Sequence, residues 1–155
     1  MTTLVSVANG GVGLVVPADW ETTLDGAPGI PVAAMAPPTP TPFRTNVVVT
    51  VGDVPAAMTS REWQAGTDLL LTESLEQYQL LDLEHVTVAG LEAVRRLAHH
   101  VTDEGIAVTM QQWAVLVEGH GVTLTATVPT VDFPVLARAV DAIGRSLSVD
   151  EGWPQ

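Results

Sequence analysis

The stretch between residues 80 and 129 constrains this chain most. Four strand-like segments follow one another there: Leu80 to Val88, Leu91 to Thr102, Ile106 to Val117 and Val122 to Val128. The breaks between them are Gly90, Asp103-Glu104-Gly105 and Gly119-His120-Gly121, and Pro129 closes the last. A parallel pair needs a crossover of about a dozen residues or more, and none of these links is long enough. Neighbouring segments should therefore pair as antiparallel hairpins. The longest would span on the order of 35 Å, so the central pair should twist strongly or carry a bulge.

The third segment has apolar residues on both parities, with Val108, Met110 and Ala114 on one and Trp113, Val115 and Val117 on the other. A strand open on one side would alternate, so this one is read as central and covered on both faces. The fourth does alternate, with Thr123, Thr125 and Thr127 against Val122, Leu124, Ala126 and Val128, and is read as wet on one side. Two amphipathic helices are available as cover. Thr59-Ser60-Arg61-Glu62 is a capping box, and the helix it opens is expected to run to about Tyr78. Trp63, Thr67, Leu70, Leu71, Ser74 and Tyr78 recur on one side of it, and Glu62, Glu73 and Glu76 on the other. The second starts near Asp132, an N-cap residue, with Pro134 in its first turn and Leu136, Val140, Ile143 and Leu147 as its stripe.

Upstream, Val12 to Val16 reads as a strand ended by Pro17, and Val47 to Val51 as a β-branched strand. Between them, residues 28–42 hold six of the eleven prolines and can only be extended or loop. Placing one helix on each sheet face gives an α+β fold, a three-layer α/β/α arrangement. Its central antiparallel sheet would have about six or seven strands in the order hairpin-α-β-β-β-β-α. Residues 1–149 read as a single domain and 150–155 as a frayed tail.

Composition narrows the function. The 155 residues carry 18 acidic and 6 basic side chains, a net charge of -12, and every basic residue is an arginine. Nucleic acid and anionic membranes require clustered cations, so neither is an expected partner. With no cysteine, thiol catalysis, disulfides and thiolate metal sites are excluded. No run approaches the roughly 20 apolar residues of a membrane span. The uncharged opening, Met1 to Ala18, lacks a basic start and is broken at Asn9-Gly10-Gly11, so it is not read as a signal peptide. The expected location is the cytoplasm.

Motifs for chemistry are sparse. Gly11-Val12-Gly13 lacks the third glycine of a dinucleotide loop, and Pro17 stands where its helix would begin. A phosphate loop is impossible without lysine, and neither GxSxG nor HExxH occurs. His99 and His100 are consecutive in a strand and point to opposite faces, and His120 sits in a glycine-flanked turn, so no metal site is expected. Asp82 and Glu84 share a face, as paired carboxylates do, but read as solvated. If the hairpin at 103–105 has a two-residue loop, then Arg96, His100, Thr109, Gln111 and Trp113 fall on one sheet face. Together they would make a ligand floor or an interface hot spot, with Trp113 and Arg96 as anchors. A three-residue loop would shift the register and dissolve the cluster.

The order of elements, with several local features, resembles the PsbP-like fold, which includes the Ran-binding Mog proteins. Val16-Pro17-Ala18-Asp19-Trp20 looks like its strand-proline-tryptophan opening, and Asn46 to Val49 like the next strand. Val86 to Ala93 is similar to its valine-glycine-any-alanine passage, and Val108 to Val117 with Leu124 to Pro129 to its last hairpin. In pattern the chain is nearest to LpqN/LpqT-type lipoproteins and DcrB-like proteins. It departs from the lipoproteins in that no leader is read in this sequence and it contains no cysteine to anchor, so a member without a lipid anchor is expected. The resemblance implies binding and accessory roles and supplies no catalytic residues. The expected function is thus non-catalytic, without a cofactor, through contacts with a protein partner or a second copy of the chain. Two alternatives are a chaperone for a secreted effector and a small-molecule binder with a pocket between sheet and helix.

Overall fold

A computed structural model describes residues 3–154. The chain opens with two hairpins, β1 (Leu4–Asn9) with β2 (Val12–Pro17), and β3 (Glu21–Ala27) with β4 (Ile30–Met35), followed by β5 (Asn46–Asp53). Helix α1 (Ser60–Ser74) precedes the four-strand run β6 (Glu76–Val88), β7 (Leu91–Val101), β8 (Ala107–Val117) and β9 (His120–Pro129). Helix α2 (Phe133–Arg145) and a short β10 (Ser148–Val149) close the fold.

The main sheet has seven strands in the order β3-β4-β5-β9-β8-β7-β6, and every pairing in it is antiparallel. The opening hairpin is not part of it. β1 and β2 form a separate three-stranded sheet with β10, in which Ser148 opposes Gly13. Sequence pattern marks β2 as apolar but does not say which edge it will join, because pairing partners distant in sequence leave no local signal.

The two helices take opposite faces. Arg96 of β7 reaches Asp68 and Gln64 of α1, whereas Trp113 of β8 lies against Gly144 of α2. The larger apolar core is on the α2 side, where Val47, Val49, Trp113, Val115, Leu124 and Ala126 meet Leu14, Val140, Ile143 and Leu147. β8 is buried along most of its length, the expected consequence of its two-sided apolar pattern. On β9, Leu124 and Ala126 are buried while Thr123, Thr125 and Thr127 are partly open.

Both helix ends differ from the periodicity argument. α1 stops at Ser74, and Leu75 is already extended. Tyr78 therefore belongs to β6. No glycine marks this end, and over five residues a helical stripe cannot be told from a strand. Leu70, expected inside, is 63% exposed, while Gln64 is buried, so the helix is rotated to turn polar groups toward Arg96. The capping box forms as read, with Thr59 Oγ1 accepting from the Glu62 backbone N–H at 3.1 Å and the Thr59 N–H donating to Glu62 at 3.1 Å. At α2, Asp132 holds the N-cap position but makes no cap bond. Its carboxylate instead accepts from Thr41 Oγ1 at 3.1 Å, tying the proline-rich segment to the helix start.

The chain end, expected to fray, is fastened. Asp150 N–H donates to the Gly11 carbonyl at 2.7 Å, and Trp153 Nε1 to the Gly10 carbonyl at 3.1 Å. The Trp153 ring lies so close over Gly11 that a Cβ there would overlap it.

Candidate functional site

The five residues read as one cluster divide between the faces. Gly105 N–H donates to the Thr102 carbonyl at 2.8 Å, Thr102 N–H donates to the Ile106 carbonyl at 2.9 Å, and Gly105 has φ +82°. The loop is thus three residues, Asp103-Glu104-Gly105, with glycine in the left-handed position that such a loop requires. Register follows: Arg96 opposes Gln112, Leu97 opposes Gln111 and His99 opposes Thr109. Arg96 and His100 face α1. Thr109, Gln111 and Trp113 face α2. Trp113 is 1% exposed and Arg96 0%, so neither side chain is an interface anchor.

Arg96 instead builds the α1 interface. Its Nη1 donates to Asp68 Oδ1 at 2.7 Å and to the Tyr78 hydroxyl at 2.9 Å, and its Nη2 to the Gln64 carbonyl at 3.2 Å and to Gln64 Oε1 at 3.1 Å. Tyr78 in turn donates to Asp68 Oδ1 at 3.0 Å. Burial raises the Tyr78 pKa above its ordinary value, against the opposing pull of Arg96, so the phenol remains a donor. The Arg96 Nε is left without a partner, a residual cost of burying a guanidinium. This is a structural latch.

Beside the latch, between α1 and β6, lies a cleft of about 300 Å³. Arg61, Gln64, Ala65 and Asp68 line it from the helix, Leu80, Leu83, Glu84 and His85 from β6, and Val94 lies on the neighbouring strand. Leu83 opposes Arg96 across the strands and so shares the α1 face. Leu80 and Leu83 are 36% and 45% exposed, an unusual degree of wetting for adjacent leucines in a sheet. On the opposite face of the same strand, Asp82 and Glu84 both reach Arg95 Nη1, at 3.4 and 3.1 Å. They share a face as expected, but both are about half exposed and pair with one guanidinium, without the enclosure that acid–base work needs. Between residues 60 and 104, which span α1, β6, β7 and the loop after it, there are nine carboxylates and three arginines.

The cleft was not legible as a site. Its lining comes from α1 and β6, whose mutual placement depends on Arg96. The one local signal was Leu80-Leu81-Asp82-Leu83, a leucine on both parities of an otherwise polar strand.

The histidines stand apart. His100 is partly buried with Nδ1 unpartnered, and burial lowers its pKa, opposed by a backbone hydrogen bond at Val101. His120 lies 3.4 Å from Asp53 and edge-on to Trp153, with ring centroids 5.6 Å apart. Among the described residues no group of three His, Asp or Glu side chains converges as a metal ion would need, and no helix is long and apolar enough to cross a membrane.

Known structures place this architecture. No family model matches the chain, and no curated protein matches it by sequence. By structure it is similar to the cyanobacterial PsbP protein CyanoP of Synechocystis, with a TM-score of 0.69, 13% identity, and 96% of this chain and 94% of that one covered. It is similar to LpqN of Mycobacterium tuberculosis, a protein involved in cell envelope biogenesis, with a TM-score of 0.65, 19% identity and coverage of 97% and 91%. It is also similar to the Ran-binding protein Mog1p of Saccharomyces cerevisiae, with a TM-score of 0.65, 15% identity and 96% of each chain covered. The chain has a PsbP/Mog1-like fold, as its sequence resemblance implied.

Proposed function

We propose that this protein is a non-catalytic binding module that holds a basic segment of a partner protein in the cleft between α1 and β6. The observation that carries this reading is the pairing of half-wet leucines, Leu80 and Leu83, with a surrounding excess of carboxylate. Apolar contacts in the cleft supply affinity, and the negative field selects and steers a cationic partner. The fold is shared with a Ran-binding protein, which supports a protein-binding role without naming a partner for this chain. The same cleft is at the lower end of volumes that enclose a small ligand, about 300 Å³. Arg96 and His100, the groups expected to converge on such a ligand, do not line it.

The test is affinity capture with the wild type and with Leu83→Glu. Leu83 is wet enough for the variant to fold. A protein held by the wild type at about 50 mM salt, released at about 500 mM and not held by the variant supports the reading. Equal retention by both chains overturns it.

A further inference from the structure

β6 is the last strand of the seven-stranded sheet, and among the described residues nothing pairs with its outer edge. Natural sheets defend such edges with lysine, proline, bulges or a covering element. Here the bulges fall early, between Glu76 and Gln79 and between Leu80 and Asp82. From Asp82 to Val88 the pairing with β7 is unbroken, this run has no proline, and the chain has no lysine. The other edge strand, β3, is unlike it, with a bulge between Leu24 and Ala27 and Glu21 bound to Arg44 at 3.0 Å.

Charge and side-chain alternation say what fits this edge. Leu83 and His85 point to the α1 face and line the cleft. Asp82 and Glu84 point to the other face, 53% and 48% exposed, and share the single cation of Arg95. Two copies meeting edge to edge would set these carboxylates against each other, which opposes self-pairing. A strand with lysine or arginine at every second position would place its cations beside them and its apolar residues in the cleft.

We propose that the partner segment joins the sheet as an eighth strand, pairing its backbone with β6 from Asp82 to Val88. Its apolar side chains enter the α1 cleft, and its basic ones lie against Asp82 and Glu84. This rests on the cleft being the binding site. It adds the conformation of the partner and its residue pattern, a strand-addition mode of recognition.

The probes are two synthetic nine-residue peptides of the same valine–lysine composition, one alternating and one arranged with helical period. The alternating peptide should bind the full chain more tightly, protect the amides of residues 82–88 from hydrogen exchange, and weaken with salt. N-methylation of one alternate set of its residues should abolish binding, while methylation of the other set leaves it, because only one side of the peptide meets β6. The double variant D82N/E84Q should weaken binding about tenfold. If neither methylated set loses affinity, or protection is confined to α1, strand addition is overturned while the cleft reading survives. If neither peptide binds, both fall. A dimer of the free chain in sedimentation that Leu83→Glu dissolves would overturn the proposal in favour of a second copy on this edge.

Discussion

At Arg96 a guanidinium with almost no exposed surface meets Asp68, whose side chain keeps 40% of its surface in water. The two ends of this pair should not cost the same to remove. Asp68→Ala leaves a buried cation with only neutral acceptors, and should destabilise by about 3 kcal/mol. Arg96→Met leaves a carboxylate that can turn to solvent and fills the site with apolar volume, so its loss should be smaller. Urea unfolding of both variants checks the order; a larger loss for Arg96→Met would mean that the bonds to Gln64 and Tyr78, and not the charge, hold the helix. His100 gives a second residue-level outcome. Its pKa is lowered from 6.5 in the folded chain by burial, so the unfolded chain takes up the proton first. Its contribution to stability is complete above pH 6.5 and is lost as pH falls below that toward the folded value. Denaturant midpoints between pH 7 and pH 5 should therefore drop more for the wild type than for His100→Gln.

Among the elements, α1 is the least conventional. It turns Gln64, Thr67, Asp68 and Leu71 toward the sheet and leaves Leu69 and Leu70 exposed at 67% and 63%. Apart from Trp63, which packs on Gly121, its attachment is thus largely polar, and no count of apolar positions reveals it. The hairpins were far more legible. Glycine punctuates every link from β6 to β9, and link length alone forces antiparallel pairing. Register was the illegible part, although the chain held a clue: glycine as the third residue of Asp103-Glu104-Gly105 matches a three-residue loop better than a two-residue one. One residue of slip turns a whole strand over, which is why the five-residue cluster failed while the strands that carry it were placed correctly. Gly105→Ala tests that loop directly. At φ +82° the substitution should cost about 1 kcal/mol in urea unfolding, whereas a loss near zero would mean that the loop can change its conformation freely. Gly144→Ala forces a methyl into the Trp113 ring and should cost about 1–3 kcal/mol, read as a lower denaturant midpoint.

For the molecule as a whole, a net charge of -12 over 155 residues sets a background of self-repulsion that the fold must overcome. Raising salt from about 10 to about 200 mM should therefore raise Tm, because screening relieves repulsion among many exposed carboxylates more than it weakens the few exposed ion pairs. A Tm that falls with salt would show the pairs at Arg44, Arg95 and Arg145 to be stronger than their exposure suggests. The tryptophans offer a finer instrument. Trp63 rests on Gly121 beneath α1, Trp113 on Gly144 beneath α2, and Trp153 on Gly11 at the chain end. These three indoles thus abut bare backbone in separate layers, so chains stripped of Trp20 and retaining one of the three apiece would emit light from three different depths. Stopped-flow emission from such a set would time the departure of each layer as the protein comes apart.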